Sequence, residues 1–455
     1  MQSVLTTTEM RAVDTPAIAS TPLDELVERA GTKVALAALD LMGGAYGRRV
    51  VLICGRGNNG ADGRVAARLL ARRGAKVRIV APGEIDDLLG SGPGIDLVVD
   101  AAFGTGFRGT YDAPRVPVGV PVLAVDIPSG VAGDTGEACG RPLAATRTVT
   151  FVAPKPGLLQ WDGAALAGEV TVVDIGLPVG AHRIDLLEDA DVASLLPGRD
   201  PGGNKWRAAV GVVAGSPGMT GAAVLCARAA YRAGAGMVRL GVPGGDPSAL
   251  AATEAVGIEL AATGWAEAAL EATAKCGALV VGPGLGRPPR ATDDVRLLLA
   301  GSPVPVVVDA DGLHALGRVD AQPLPTGVTV VLTPHDGEYE RLLGSAPGPD
   351  RIEAARTLAR VSGAVALLKG PTTAVADPSG RVLLARTGTS ALASAGTGDV
   401  LSGVIAGFLA RGMPPLEAAA LAAHVHGRAG ALGHRAGLLA GDLPDLVARV
   451  LDALG

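Results

Sequence analysis

SAGTGDVLSGVIAGFLA, residues 394–410, places small residues and one carboxylate directly before a long apolar run. Small residues let a backbone approach a ligand closely, and the apolar run predicts a buried helix. The N-terminus of such a helix presents free N–H groups and the positive end of a dipole. The stretch therefore predicts an anion site, plausibly for phosphate. Because Asp399 would repel a bare phosphate, we expect it to act as a general base on a hydroxyl.

The composition predicts a globular protein of two domains. The chain has 455 residues, which is too many for one ordinary domain. Hydrophobic residues make up 48% of it and charged residues 19%, which is enough apolar material for large cores. A net charge of −5 and 2% aromatic residues argue against a nucleic-acid surface. The cysteines have no paired spacing, so we expect reduced thiols and a cytoplasmic protein. Neither a signal peptide nor a membrane span is predicted, and hence no membrane partner.

The first half alternates strands with helices. After two helices within residues 8–41, strands are predicted at 49–54, 76–80, 95–100 and 122–127, which implies a parallel sheet with ligands beyond its carboxyl edge. Three motifs follow those strand ends: GRGNNGADG (55–63), DAAFGTGFRG (100–109) and DIPSG (126–130). The first of them is predicted to be a loop that leads into a helix at 64–73. Asparagine and aspartate oxygens suit a cation or a polar ring better than pyrophosphate alone. A single aspartate could merely cap a turn, but three motifs at one edge indicate a site.

These motifs, with APKPGL at 153–158, resemble the epimerase domain of the NAD(P)H-hydrate repair enzymes over roughly residues 4–177. The resemblance implies a Rossmann-like domain, residues 1–185, in which Asn59, Asp100 and Ser129 bind a potassium ion. It also implies that the hydrated nicotinamide nucleotide is bound by Asn58, Asn59, Gly60, Ala61, Asp62, Gly104, Thr105, Gly106, Phe107, Arg108, Gly109, Thr110 and Asp126. We expect Asp126 to transfer protons at the hydrated ring carbon. Lys155 either assists it electrostatically or is an edge lysine.

The second half begins after a proline- and glycine-rich segment, residues 178–204, which we interpret as a linker. Strands are predicted at 208–214, 238–242, 278–281, 304–309, 328–332 and 364–368, giving a second, larger doubly wound α/β domain. Polar or glycine-rich loops follow several of these strands: GSPGMTGA (215–222), GPGLG (282–286), DADGL (309–313), TPHDGE (333–338) and KGPTT (369–373). The GTGD loop comes last.

In this order the loops resemble the ADP-dependent NAD(P)H-hydrate dehydratases, a branch of the ribokinase-like superfamily, from about residue 195 to the C-terminus. The resemblance implies three-layer α/β/α architecture in both domains, a second domain at 186–455, Mg²⁺, and ADP as co-substrate. Substrate contacts are implied for Ala222, Gly284, Gly286, His335 and Asp399, and nucleotide contacts for Lys369, Gly370, Pro371, Thr372, Thr373 and Gly398. Asp399 would deprotonate a hydroxyl that is then phosphorylated and eliminated. Asp336 replaces the proline usual in the family, so the local turn is expected to differ.

Three hypotheses follow. The leading one is a repair enzyme that interconverts the epimers of hydrated NADH or NADPH and dehydrates the S hydrate with ADP, releasing AMP and phosphate. The alternative is a ribokinase-like vitamin-precursor kinase with an accessory first domain, and a third reading makes that domain a catalytically inactive module. Asp309 and Asp311 stay open between helix caps and a metal or nucleotide role, and His424 and His426 are given no function. We expect small-molecule substrates and a homo-oligomer.

Overall fold

The computed structural model describes residues 1–88, 94–198, 203–246, 254–288 and 291–455, without the side chains of 17–20. The chain forms two compact units: residues 2–182 make one, and Met1 with residues 183–455 the other. Within the described ranges, no helix combines the length and the apolarity needed to span a bilayer.

The first unit is built on a parallel sheet. Its elements are β1 (Gln2–Val4), α1 (Thr7–Ser20), α2 (Leu23–Met42), β2 (Arg49–Cys54), α3 (Asn58–Arg72), β3 (Lys76–Val80), β4 (Leu97–Ala101), β5 (Tyr111–Asp112), β6 (Val122–Val125), β7 (Gly140–Arg141), β8 (Arg147–Phe151), α4 (Trp161–Leu166) and β9 (Glu169–Val173). The main sheet has the order β3-β2-β4-β6-β8-β9, with every pairing parallel. The chain reverses direction across the sheet between β2 and β4, and a ligand cleft is expected at that point.

The asparagine motif is helical, which corrects the prediction of a loop up to residue 63. Helix α3 begins at Asn58, so this residue and Asp62 lie in its first turns. Glycine makes this early start possible, because a Cβ on Gly60 would lie 2.0 Å from the carbonyl oxygen of Gly55. The motif therefore presents its amides from a helix N-terminus.

The second unit has a larger sheet flanked by helices. Its elements are β10 (Ile184–Leu186), α5 (Ala190–Leu195), β11 (Ala209–Val213), α6 (Thr220–Arg232), β12 (Met237–Gly241), β13 (Val256–Ile258), α7 (Ala266–Thr273), β14 (Ala278–Val281), α8 (Ala291–Gly301), β15 (Val306–Val308), α9 (Asp311–Leu316), β16 (Val330–Leu332), α10 (Asp336–Leu343), α11 (Arg351–Ser362), β17 (Val365–Leu368), β18 (Thr373–Ala376), β19 (Val382–Ala385), α12 (Thr397–Ala410), α13 (Pro415–Leu432) and α14 (Leu443–Leu454).

Within this unit the strand order is β10-β19-β18-β17-β16-β15-β14-β11-β12-β13. The sheet is parallel except where β18 runs antiparallel to both neighbours. The segment interpreted as a linker contributes a strand, because β10 pairs with β19 from Ile184 to Leu186. Residues 199–202 of that segment lie outside the described residues.

Helix α12 is the buried helix that the opening stretch predicts, since every residue from Val400 to Ala410 is buried. Its small residues let it pack tightly on α6. A Cβ on Gly403 would lie 2.2 Å from the Cys226 carbonyl oxygen, and one on Gly407 would lie 2.6 Å from the Ala233 Cβ. This contact holds the N-terminus of α12, with Thr397, Gly398 and Asp399 in its first turn.

Candidate active sites

The first unit contains a cleft of about 910 Å³ at the carboxyl edge of its sheet, a size typical of small-molecule sites. Its lining includes the predicted residues Asn58, Asn59, Asp62, Gly104, Thr105, Gly106, Phe107 and Asp126. Gly60 and Ala61 lie in the same turns of α3 without lining the described cleft, and Arg108, Gly109 and Thr110 are exposed beyond it. The motifs also meet in space, because a Cβ on Gly104 would lie 3.5 Å from Asp126 Oδ2 and 3.6 Å from the Asn59 Cβ.

Asp126 is held in an unusual backbone conformation beside a buried lysine. Its φ is 67°, a region sparsely populated by residues other than glycine. Lys155 Nζ donates to Asp126 Oδ1 at 2.5 Å, to Thr150 Oγ1 at 2.9 Å and to the Phe151 carbonyl at 3.1 Å. Lys155 is only 1% exposed, so the edge-lysine interpretation is wrong. A charge-assisted contact of this kind fixes the carboxylate in place.

Asp62 provides a second carboxyl group of different character in the same cleft. It is buried, and its burial together with the charge of Asp126 raises its pKa to about 8. Burial likewise raises the pKa of Asp14, another lining residue, against the opposing effect of Lys155. Two carboxyl groups in contrasting environments, one ion-paired and one neutral near pH 7, are the arrangement that acid and base catalysis uses.

The predicted potassium ligands lie next to this cleft. Both polar atoms of the Asn59 amide are buried without a hydrogen-bond partner among the described residues. Asp100 is completely buried and accepts hydrogen bonds from Ser129 N at 2.8 Å and Ala102 N at 3.3 Å. Burial raises the pKa of Asp100 although Ser129 and Ala102 oppose that shift. Ser129 Oγ in turn donates to the Phe103 carbonyl at 3.1 Å.

In the second unit Asp399 lies at the N-terminus of α12. Burial, followed by the charge of Asp309, raises its pKa from the usual 3.8 to about 7, while Lys369 opposes the shift. Gly396 caps the helix with a φ of 91°, and a Cβ added to it would lie 3.8 Å from Asp399 Oδ2. A carboxylate with a pKa near neutrality is suited to taking up a proton.

Asp309 connects the lysine loop to α12. It is 1% exposed and accepts from Lys369 Nζ at 2.6 Å on Oδ1 and from Ser402 Oγ at 2.7 Å on Oδ2. A Cβ on Gly398 would lie 3.3 Å from Lys369 Nζ and 3.6 Å from Asp309 Oδ2. Asp309 therefore binds side chains of the site and is not a helix cap. Burial lowers the pKa of Lys369, but Asp309, Glu338 and Asp399 outweigh this effect and raise it.

Two of the substrate-contact residues implied for this unit, Ala222 at the start of α6 and Gly284 in the GPGLG loop, lie next to each other. A Cβ on Gly284 would lie 2.8 Å from the Ala222 Cβ, and Ser216 Oγ donates to the Gly284 carbonyl at 3.0 Å. Gly286 N donates to Asp311 Oδ2 at 3.0 Å, so Asp311 braces the glycine loop.

His335 is the N-cap of α10, where its ring accepts from Gly337 N at 3.0 Å. The helix begins at Asp336, and the Glu338 side chain accepts a hydrogen bond from the His335 backbone N–H at 2.9 Å.

Sequence reasoning missed four connections. Lys155 and Lys369 each pair with a buried or half-buried carboxylate, at 2.5 Å and 2.6 Å respectively. His426 packs under the GTGD turn, where burial lowers its pKa to about 4 against a hydrogen bond to the Thr397 backbone. His424 instead pairs with Asp189 at 2.9 Å, so these two histidines share no site.

The geometry defines a class of enzyme. One α/β unit places acid and base groups in a cleft, and a second presents a carboxylate and a lysine at a helix N-terminus, as enzymes that transfer phosphoryl groups do.

Comparison with known proteins identifies the family. Residues 210–451 match the family model for NAD(P)H-hydrate dehydratase, and residues 23–91 and 84–157 match that for the YjeF-related protein N-terminus. The chain is 40% identical to the bifunctional NAD(P)H-hydrate repair enzyme Nnr of Moorella thermoacetica over 94% of this chain and 92% of that protein. It is 38% identical to the Nnr of Mycobacterium leprae over 97% and 96% of the two chains.

Among solved structures, the ADP/ATP-dependent NAD(P)H-hydrate dehydratase of Bacillus subtilis, co-crystallised with ATP and Mg²⁺, is 30% identical. It matches with a TM-score of 0.53 over 60% of this chain and all (100%) of its own. The chain belongs to the family of bifunctional NAD(P)H-hydrate repair enzymes. The predicted resemblance and fold class are thereby confirmed, and repair of hydrated NAD(P)H is favoured over the vitamin-precursor kinase.

Proposed function

We propose that residues 1–185 epimerise the R and S hydrates of NADH and NADPH, and that residues 186–455 dehydrate the S hydrate with ADP to give NAD(P)H, AMP and phosphate. The observation that carries the dehydration is Asp399, a carboxylate with a pKa of about 7 in the first turn of α12. It lies beside Lys369 and next to backbone N–H groups that can bind a phosphoryl group.

In the dehydration, Asp399 takes the proton of the substrate hydroxyl. The oxygen of that hydroxyl attacks the β-phosphorus of ADP, and AMP leaves. Lys369, held by Asp309, and the amides of Gly396 to Gly398 stabilise the charge on the phosphoryl oxygens. The ring nitrogen then expels phosphate as the neighbouring ring carbon loses a proton, which restores the double bond of the dihydronicotinamide. Ala222, Gly284, Gly286 and His335 hold the hydrated ring.

In the epimerisation, the hydroxyl leaves the hydrated carbon and returns to its other face. Asp62 is neutral near pH 7 and can protonate the departing hydroxyl, since its pKa is about 8. Asp126, fixed by Lys155 at 2.5 Å, can take a proton from the returning water. Residues 58–62 and 104–110 hold the nucleotide.

A potassium ion fits the residues of the first unit. The Asn59 amide lacks a partner among the described residues, and no described cationic side chain forms an ion pair with the buried carboxylate of Asp100. Asn59, Asp100 and Ser129 supply the oxygen ligands that such a cation prefers. The bound ion would supply positive charge next to the nucleotide.

Magnesium fits through the nucleotide. The oxygens of Asp309 and Asp311 already accept hydrogen bonds, and Mg²⁺ is commonly held by phosphates, water and few carboxylates. We therefore propose that Mg²⁺ is bound chiefly by the ADP phosphates, which Lys369, Gly370, Pro371, Thr372, Thr373 and Gly398 hold. ADP is proposed as the nucleotide of this chain, although the Bacillus subtilis relative is described as ADP/ATP-dependent.

We also propose a cytoplasmic homo-oligomer acting on small molecules. The free thiols Cys54, Cys139, Cys226 and Cys276 support a reducing compartment.

The deciding experiment supplies a mixture of both epimers of hydrated NADH with ADP, Mg²⁺ and K⁺. Complete recovery of the absorbance of reduced nicotinamide, together with AMP and phosphate in equal amounts, is expected. Recovery of only the S fraction would refute the epimerase activity. No recovery, with a phosphorylated vitamin precursor formed in a parallel reaction, would refute the dehydratase activity.

A further inference from the structure

Arg351, the first residue of α11, lies under the loop Lys369–Thr373 and has no role in the chemistry above. The side chain is buried, with 7% of the residue exposed. One guanidinium nitrogen is 2.8 Å from Asp336 Oδ1 on α10. Another donates a hydrogen bond to the backbone carbonyl of Lys369. The guanidinium thus ties the end of β17 to the start of α10.

This hydrogen bond sets the direction of a peptide group. The peptide bonds of the described residues are all trans, and in a trans peptide the C=O and the following N–H point in opposite directions. Since the Lys369 carbonyl accepts a hydrogen bond from Arg351, the N–H of Gly370 points away from the guanidinium. A backbone N–H in such a loop is the usual donor to nucleotide phosphates.

The loop is also shaped around this guanidinium. A Cβ on Gly370 would lie 3.0 Å from one terminal nitrogen of Arg351 and 3.1 Å from its Nε. On the far side, Thr373 Oγ1 donates to the Gly370 carbonyl at 3.3 Å. The ion pair with Asp336 restrains the Arg351 guanidinium from moving away from the loop. Its positive charge also lowers the cost of bringing an anion to the loop.

We infer that Arg351 is a positioning residue for the adenine nucleotide, that it presents the Lys369–Thr373 loop in its binding conformation, and that Asp336 orients it. The inference rests on the proposed binding of ADP by this loop. Asp336 therefore orients Arg351 through their ion pair. The family resemblance implies a proline at this position, which could not form that pair.

The test measures ADP binding by calorimetry and the steady-state dehydration of the S hydrate with four full-length variants. Arg351→Met should raise the Kd and KM for ADP about tenfold or more, because a charged hydrogen bond and its geometry are lost. Arg351→Lys should recover part of this loss, since one ammonium cannot satisfy both partners. Asp336→Ala should raise the KM by about threefold. Arg360→Met is the matched control, because Arg360 lies on the same helix in an exposed pair with Glu353 at 3.7 Å.

The KM for the hydrate should stay within about twofold of the unaltered protein in all variants, which separates loop positioning from general destabilisation. An ADP Kd of Arg351→Met equal to that of Arg360→Met would overturn the inference. If Arg351→Met fails to fold, an unchanged ADP Kd of Asp336→Ala would overturn it instead. A failure of the unaltered protein to bind ADP at all would refute the proposed function. This result is distinct from a loss of ADP binding that is seen only in the variants.

Discussion

Replacing Asp399 by asparagine tests the proposed base directly. Asparagine keeps the shape of the side chain in the first turn of α12 but cannot accept the hydroxyl proton. General-base catalysis contributes about 10²- to 10⁴-fold to a rate. We therefore expect the kcat for dehydration to fall by about this factor, while epimerisation by the first unit is unchanged.

The pH dependence gives a second measure of the same residue. Burial and the charge of Asp309 raise the pKa of Asp399 to about 7, and only the ionised form can act as a base. The kcat should therefore rise with pH and level off above pH 7, and at pH 6 about one-tenth of the residue is ionised, giving about a tenfold lower rate. Neighbouring groups that face this site are Asp309, Asp311, Lys369 and the Cys226 thiol.

The assay follows reduced nicotinamide absorbance from pure S hydrate at saturating ADP, between pH 5.5 and 9. Asp293→Asn is the matched control, because Asp293 is an exposed carboxylate in the first turn of α8 in the same unit. The reasoning is refuted if Asp399→Asn keeps a kcat within about tenfold of the control, or if the unaltered protein shows no fall in kcat between pH 8 and pH 6.

Other predictions concern the first unit and use chromatographic separation of the two epimers. Asp126→Asn should slow epimerisation at least about a hundredfold and leave dehydration of the S hydrate intact; loss of both activities in a folded protein would contradict the two-site assignment. Exchange of K⁺ for Li⁺ should slow epimerisation, and Asn59→Ala should abolish this response; an equal response in both proteins would exclude Asn59 as a ligand. Epimerisation should decline above about pH 8 as Asp62 ionises, and Asp62→Asn should remove that decline; a decline that persists would assign it to another group.

Much of the fold could be predicted because the signals were local. The apolar β-branched runs predicted β2 at Arg49–Cys54, β3 at Lys76–Val80 and β14 at Ala278–Val281 with the bounds that the structure has. The start of α3 was predicted too late, because the glycines of the motif look like loop residues in isolation. Gly60, inside the helix, packs closely on Gly55, which precedes it. A glycine that is needed for such packing cannot be told from a loop glycine by its sequence neighbours.

Strand β10 was missed for a different reason. Its three residues, Ile184 to Leu186, are too short for a periodic pattern and pair with β19, which lies far away in the chain. Short strands held by distant partners depend on tertiary contacts, so the composition of residues 178–204 alone favoured a linker. Strand β18 differs, because its partners β17 and β19 are its neighbours in the chain and its antiparallel direction follows from the short connection at residues 369–372.

The candidate sites were predicted in outline, but their charge pairing was not. Motifs locate Asp126 and Asp399 because glycines and strand ends surround them, whereas Lys155 is 29 residues from Asp126 and Lys369 is 60 residues from Asp309. No pattern in the sequence assigns Lys155 to Asp126, or Lys369 to Asp309. Asp309 itself was left open between a cap and a ligand, and only its hydrogen bonds to Lys369 and Ser402 decide the matter.

The two pairings explain why one chain can hold two different acid–base sites. In the first unit the buried lysine binds the candidate catalytic carboxylate itself, at 2.5 Å from Asp126, and the carboxyl group with a raised pKa is a different residue, Asp62. In the second unit the lysine binds Asp309 at 2.6 Å, and Asp399 has burial and two like charges acting against the lysine. The two sites thus differ in whether the lysine pairs with the candidate catalytic carboxylate or with a neighbouring one, and Asp399, beside the lysine-paired Asp309, has a pKa of about 7 chiefly because it is buried.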